Sequence, residues 1–251
     1  MKSKYLAAAA GTALAACAAV AVAATMAPPA WINAVVMSEY RPKVDTDRDA
    51  LRKPADVLTF AGVRRGETVL ELVPSKGYFT RLLSLAVGPR GHVIEAVPLR
   101  GGQDMAAASN GLAKDPHFSN VSEIPMTGDA IAKAGPVDLV WTSQNYHDFH
   151  LKALNLDVVG LDRVIFGALR PGGTFFIEDH AAKDGSGLDA PDKLHRIDEA
   201  VVKQEVESVG FKLEAESDLL RNPADDRSLL VFNPAIRGHT DQFLLKFRKP
   251  K

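Results

Sequence analysis

Three polar groups in this chain combine residue types able to move protons or hold ligands: Asn145, His147 and Asp148; Glu178, Asp179 and His180; and His195. An imidazole titrates near neutral pH, so His147 or His180 is a candidate base for a hydroxyl or amine, with Asp148 and Asp179 as carboxylate neighbours. The same His147, Asp148, Asp179, His180 and His195 read alternatively as ligands for a divalent ion serving metal-assisted hydrolysis. Their spacing matches no compact metal motif, so no metal is assigned. Each histidine can equally be a satisfied polar residue at a strand or helix end. His92, His117 and His150 read as surface residues, and His239 with Asp241 as ordering the last loop.

Whether these groups meet depends on the elements that carry them. Thr68 to Val73 is an apolar run that stops at Pro74-Ser75, as a buried parallel strand would. Phe79, Leu82, Leu83, Ala86 and Val87 then fall on one helical face, Gly88-Pro89 ends that helix, and Val93 to Val97 is the next strand. A right-handed crossover puts the helix N-terminus at the carboxyl edge of the first strand, where backbone N–H groups face any ligand.

Ahead of this unit, Asp45 to Phe60 reads as one helix packing by Leu51, Val57, Leu58 and Phe60. After it come a short helix near Asp104 to Ala108, a strand around Asn120 to Ile124 and a helical turn at Asp129 to Lys133. Val137 to Thr142 is a strand, and Leu154, Val158, Leu161, Ile165 and Ala168 mark a long helix stopped at Pro171-Gly172-Gly173. Thr174 to Ile177 is a strand, and a helix within Pro191 to Val209 buries Val202, Val206 and Val209. Phe211 to Glu216 and Gln242 to Phe247 are the last strands, joined by a long connection over Leu219 to Thr240. This alternation predicts a doubly wound, mostly parallel, Rossmann-like seven-stranded α/β sheet with a C-terminal antiparallel hairpin. Ligands in such sheets bind at the carboxyl ends of the strands, which is where the polar groups fall.

With 251 residues, 46% hydrophobic and 24% charged, the chain has the makeup of a single domain with ample core, assigned to residues 31–251. A formal net charge of −1 gives no long-range attraction for nucleic acid, and no protein partner is implied. Met1-Lys-Ser-Lys4 is a basic start, and no charged side chain occurs from Tyr5 to Ser38. Residues 1–30 therefore read as a secretory or lipoprotein signal with a linker, and the domain is expected in the periplasm or cell envelope of a bacterium. Leu14-Ala15-Ala16-Cys17 resembles a lipobox, which would tether the protein to a membrane through a lipidated Cys17, while Ala21-Val22-Ala23 resembles a leader-peptidase site. Cys17 is the only cysteine, so disulfides are excluded.

Phe60-Ala-Gly-Val-Arg-Arg-Gly66, Asn145-Tyr-His-Asp148, Leu169-Arg-Pro-Gly-Gly173 and Leu194-His-Arg196 together resemble the class I S-adenosylmethionine-dependent methyltransferases, in particular an exported bacterial group of predicted methyltransferases. The resemblance spans Asp45 to the C-terminus. It implies S-adenosylmethionine as cofactor, a small-molecule acceptor, and a cofactor site formed by Glu71, Val73, Ser75, Gly77, Tyr78, Pro98 and Asn145. Glu71 and Gly77 match the family pattern of an acid followed by alternating glycines, but Val73 and Ser75 stand where the first two glycines are expected. Valine resists φ > 0, so Val73 is expected to narrow or redirect the pocket. Pro98 stands where the family places the carboxylate that binds the ribose, and Glu95, three residues earlier, should point to the other face. The alternative is a repurposed small-ligand-binding domain on the same sheet.

Overall fold

A computed structural model of the chain describes residues 27–99 and 109–251. The signal segment with Cys17, and the short helix expected over Asp104 to Ala108, lie outside the described residues. The chain forms helices α1 (Ala30–Val36), α2 (Lys43–Thr46), α3 (Asp49–Arg52) and α4 (Pro54–Ala61), then strand β1 (Thr68–Leu72), helix α5 (Tyr78–Val87) and strand β2 (His92–Val97). Strand β3 (Val121–Pro125), α6 (Gly128–Ala134), β4 (Val137–Ser143), α7 (Tyr146–Phe149), α8 (Val158–Ala168) and β5 (Leu169–His180) follow. The chain ends with α9 (Pro191–Leu194), α10 (Glu199–Ser208), β6 (Lys212–Ser217) and β7 (Gln242–Arg248).

The sheet runs β3-β2-β1-β4-β5-β7-β6, parallel except for β7, which lies antiparallel between β5 and β6. This is the expected seven-stranded α/β sheet with its antiparallel C-terminal pair. One face packs on α1, α4 and α5 through Val57, Leu82, Leu83, Trp141 and Phe176. The opposite face packs on α6, α8 and α10 through Ile131, Ile165, Val202 and Phe175. Central strands apolar on both faces and helices apolar on one, at period 3.6, are what let both layers close on one sheet.

Two helices differ from expectation because a local backbone rule overrides the apolar pattern. The helix predicted over Asp45 to Phe60 breaks into α2, α3 and α4. Pro54 disfavours the right-handed region for Lys53, which takes φ 42°, and the chain restarts with Pro54 in the first turn of α4. Leu51, expected in the core, is consequently 43% exposed. The helix predicted from Leu154 begins instead at Val158, where the Asp157 carboxylate accepts from Gly160 N at 2.8 Å, after Asn155 has turned left-handed. The helix expected within Pro191 to Val209 is α10, which starts after Asp198, whose side chain accepts from Ala200 N at 3.0 Å, and the short α9 before it ends at His195, φ 50°. Val202 and Val206 are buried as expected, whereas Val209 is half-buried at the helix end.

Candidate functional site

The loop leaving β1 keeps the backbone of a glycine-rich turn although its residues are not glycine. Val73, Ser75 and Gly77 have φ of 52°, 53° and 75°, so alternate positions are left-handed. A β-branched residue in that region is strained by about 1–3 kcal/mol, a cost that persists only where the surroundings impose it. Asn145, the residue before α7, donates its side-chain amide to Val73 O at 3.2 Å and to Ser143 O at 2.6 Å, and Val73 N donates to Ala96 O at 3.1 Å. Asn145 therefore braces the loop. Gly77 is required by packing as well as by φ, because a Cβ there would lie 2.3 Å from a Leu112 methyl.

Two cavities meet at Val73. The first, about 170 Å³, is lined by Arg48, Arg52, Glu71, Ser75, Tyr78 and Asn145. The second, about 300 Å³, is mostly apolar, with Pro98, Leu99, Met126, Phe149 and Leu161, and among the described residues has Asp148 as its one carboxylate. Val73 lines both and so stands as the partition between them. A third cavity of about 250 Å³ adjoins the first across Arg48, Arg52 and Gln144, and is closed by Leu51, His180, Phe232 and Arg237. Pockets that hold small molecules typically run to roughly 300–1,000 Å³, so a ligand the size of S-adenosylmethionine does not fit the first cavity alone and has to reach into a neighbour. The mouth of the first is built by the N-terminal helices. Arg41 clamps Asp49 in a two-pronged pair at 2.6 and 2.8 Å, Tyr78 donates its hydroxyl to Asp49 at 2.6 Å, and Arg81 pairs with Asp45 at 3.0 Å. The Arg52 guanidinium lies 4.5 Å from the Tyr78 ring centroid.

Glu71 and Glu95 sit side by side in the β1–β2 register and both turn toward α5. Thr80 Oγ lies 2.7 Å from a Glu71 oxygen and 2.8 Å from a Glu95 oxygen. A hydroxyl has one proton to give, so one of these contacts needs a protonated carboxyl as donor. Asn110 donates to the same Glu95 oxygen at 2.6 Å, which favours the charge on Glu95 and the proton on Glu71. Burial, opposed by the Thr80 bond and reinforced by the Glu95 charge, raises Glu71 from 4.5 to about 8. Glu95, committed to Thr80 and Asn110, cannot replace the missing carboxylate at Pro98, in keeping with its expected direction.

The proton on Glu71 has a measurable consequence. The unfolded chain loses it near pH 4.5 and the folded protein near 8, so between those values the folded state holds the extra proton and stability falls as pH rises. Glu71→Gln copies the protonated form. Denaturant unfolding of parent and variant at the two ends of that window should show the variant folded and gaining on the parent as pH rises, while His147 and Asp162, whose pKa values are also raised, give both proteins the same further slope; a difference between the two that does not change with pH would assign the proton to another group.

At the ends of β4 and β5 the histidines and aspartates come together. His147 Nδ1 lies 2.7 Å from Asp179 Oδ1, and Asp179 also accepts from the backbone amides of His147 and His180, both at 2.7 Å. His147 Nε2 lies 3.3 Å from Asp148 Oδ1, and His195 Nδ1 reaches that same oxygen at 3.2 Å. His180 Nδ1 lies 2.8 Å from the Thr240 hydroxyl, and its ring centroid is 5.8 Å from that of His147. All five residues named as catalytic candidates thus form one cluster.

Their protonation departs from expectation, because neither candidate base titrates near neutral pH. Burial alone would lower His147, but Asp179 and Asp148 outweigh it and raise the imidazole to about 10, so it is a cation at pH 7. Burial lowers His180 to about 3, and its one favourable neighbour, Asp179, is opposed by the His147, Arg196 and Arg52 charges. Asp148 is held below the usual carboxylate range: burial raises it, and the two imidazoles more than offset that. Glu178, fully buried, accepts from Ser143 Oγ at 2.9 Å, and its pKa is raised by burial. His150, expected at the surface, instead has its side chain only 6% exposed, 3.0 Å from Glu205.

Two sets of residues at this edge were not anticipated. Arg196, fully buried, pairs with Asp225 at 2.8 Å and donates to Ala181 O and Leu229 O, which fixes the turn that carries His195. Arg48, Arg52 and Arg237 line the third cavity, and among the described residues none has a carboxylate within ion-pair distance. The Arg48 guanidinium is pushed down by burial and then by the Arg52 charge. Sequence offers a signal for Arg196 only as part of Leu194-His-Arg196, and none that would join Arg237 to Arg48 and Arg52, from which it is far along the chain.

No protein-family model matches the chain, and no curated protein is significantly similar to it in sequence. Solved structures do resemble it. An S-adenosylmethionine-dependent methyltransferase from Aquifex aeolicus superposes with a TM-score of 0.57 at 17% identity, over 82% of this chain and 95% of its own. CrArsM, an arsenic(III) S-adenosylmethionine methyltransferase from Chlamydomonas reinhardtii, gives 0.53 at 17% identity over 90% of this chain and 75% of its own. The [4+2]-cyclase SpnF gives 0.55 at 14% identity over 85% and 83% of the two chains. The chain therefore has the fold of class I S-adenosylmethionine-dependent methyltransferases, a fold that also serves a cyclase.

Proposed function

We propose that the protein is an S-adenosylmethionine-dependent methyltransferase acting on a small anionic molecule. The observation that carries this reading is the loop after β1, which holds left-handed backbone at Val73, Ser75 and Gly77 despite the strain at the first two. Strain kept at a sheet's ligand edge is a signature of function. The residues fit the two ends of the cofactor. The polar cavity with Arg48, Arg52 and Asn145 suits its amino-acid end, and the apolar cavity with Pro98, Met126 and Phe149 suits the adenine. Bound there, the cofactor would supply an electrophilic methyl group on a sulfonium.

The acceptor class follows from the third cavity. Arg48 and Arg52 line both this cavity and the first, and with Arg237, none of the three ion-paired among the described residues, they bring more positive charge than one cofactor carboxylate balances; Leu51, Val231 and Phe232 offer apolar surface, so the acceptor is a small anion with an apolar body. An acceptor whose nucleophilic atom already carries charge needs no base, which accords with imidazoles that do not titrate near neutral pH. The chain's contribution is then alignment of donor and acceptor, with neutral His180 on the cavity wall. Calorimetry of the purified protein with S-adenosylmethionine is expected to show one site; absence of heat at millimolar cofactor would end this reading.

A repurposed ligand-binding domain is the second reading. The Val73 partition and Pro98 favour it, as does an envelope location away from the cytoplasm where this cofactor is made. Export is itself part of the proposal and rests on the basic Met1-Lys-Ser-Lys4 and the uncharged stretch that follows. Cell fractionation with the mass of the mature protein tests it, and loss of membrane association in Cys17→Ser would identify a lipid tether.

A further inference from the structure

We infer that His147, Asp148 and His195 form a binding site for one divalent transition-metal ion. Their ligand atoms all lie within 4.8 Å of one another, and Asp148 Oδ1 is the apex, 3.3 Å from His147 Nε2 and 3.2 Å from His195 Nδ1. Ligands placed about 2.1 Å from a tetrahedral ion are roughly 3.4 Å apart, so two of the three edges already have the required length. The third closes with a small rotation of the His195 side chain, which is 27% exposed and free to turn.

The support behind the ligands is already built. Ligating imidazoles commonly give their second nitrogen to a carboxylate that fixes ring orientation and raises basicity. His147 Nδ1 does so to fully buried Asp179, and Asp179 is itself held by the amides of His147 and His180. His147 Nε2 is thereby directed at Asp148. His195 is presented by the left-handed residue that ends α9, and the buried Arg196 next to it anchors that turn to Ala181 and Leu229. Without an ion, Asp148 holds the two imidazoles together through their N–H groups; an ion replaces those protons.

Two imidazoles and one carboxylate select a borderline divalent ion such as Zn²⁺, Co²⁺ or Fe²⁺ over Mg²⁺ or Ca²⁺, which prefer oxygen ligands. Three protein ligands also leave a position for water or an anionic ligand. The triad stands between two cavities, since Asp148 lines the apolar one and the His195 ring lies 5.0 Å from that of Phe232, which lines the arginine cavity. An ion here is placed to meet an anionic ligand entering past Phe232. The inference concerns binding by the protein alone and does not require the cofactor.

The whole protein, freed of metal with a chelator, should be titrated with Zn²⁺ by calorimetry and with Co²⁺ by visible absorption. One ion per chain is expected, with the intense d–d bands of a four- or five-coordinate Co²⁺ site. Asp148→Asn and His195→Asn should each weaken binding by about 100-fold or more, and Asp179→Asn by about 10–100-fold through the His147 ring. Asparagine is chosen at His195 because it tolerates the left-handed backbone there. Circular dichroism of the metal-free variants reports the fold, and if Asp148→Asn does not fold, His195→Asn decides alone. Affinity and Co²⁺ spectrum unchanged in folded His195→Asn, or no binding by the parent protein at micromolar metal, would overturn the inference. Calorimetry with S-adenosylmethionine on the same metal-free protein is a separate readout, so loss of the methyl-transfer reading leaves this one standing, and the reverse.

Discussion

Arg196→Met is expected to lower the stability of the domain by about 3–5 kcal/mol, the cost of leaving a buried charge without its partner. Arg196 is fully buried, and its guanidinium satisfies Asp225 at 2.8 Å and the carbonyls of Ala181 and Leu229 at 3.0 and 2.9 Å. Methionine fills much of the space and supplies none of the donors. Asp225, only 5% exposed, would keep two backbone donors, Asp241 N at 2.7 Å and Arg227 N at 3.0 Å, but no cation. Urea unfolding followed by circular dichroism measures the loss. Adding Asp225→Asn to Arg196→Met should recover part of it, because the residual cost is largely the orphaned carboxylate. A loss below about 1 kcal/mol for Arg196→Met would mean that this pair does not hold the turn.

The effect reaches the site because Arg196 ties three segments together. It joins the end of β5 to the turn bearing His195 and to the connection between β6 and β7, from which Val231, Phe232 and Arg237 wall the arginine cavity. That connection was legible in the sequence only as a long stretch between two strands. Its shape is set by buried polar contacts, which leave no periodic trace.

The sheet was legible for the opposite reason. The apolar runs of β1, β2, β4, β5 and β7 are what burial of both faces requires, whereas β3 and β6, at the two edges of the sheet, alternate apolar with polar residues and left a weaker trace. Helix ends were less legible, because a single residue such as Lys53, Asn155 or His195 entering the left-handed region ends a helix while the apolar spacing continues. Among site residues, the clustering of His147, Asp148, Asp179 and His180 follows from the adjacency of β4 and β5, which sequence can foresee. Their ionisation does not: His147 and His180 are the same residue type at the same edge, yet close contact with Asp179 and Asp148 sends the first up, while burial with the His147, Arg196 and Arg52 charges sends the second down.

Val73→Gly should tighten S-adenosylmethionine binding by at least about 10-fold, with little change in stability, if the cofactor crosses the loop after β1. The near-neutral stability comes from opposed effects. Releasing a β-branched residue from φ 52° gains about 1–3 kcal/mol. Losing the half-buried side chain, which packs against the core under α8, costs roughly 1 kcal/mol. The added freedom of glycine in the unfolded chain costs about 0.5–1 kcal/mol more. Binding responds differently because Val73 lines both the polar cavity of about 170 Å³ and the apolar one of about 300 Å³, so removing its side chain joins them into one trough. Only a ligand long enough to occupy both ends gains, whereas one confined to either cavity is indifferent. Calorimetry of parent and variant with the intact cofactor, and with adenosine alone, separates these cases: a gain for the first and none for the second places the cofactor across Val73. Equal affinities of parent and variant for the intact cofactor, with both proteins folded, would confine any adenosyl ligand to one side of the loop and leave the left-handed backbone at Val73 serving something else.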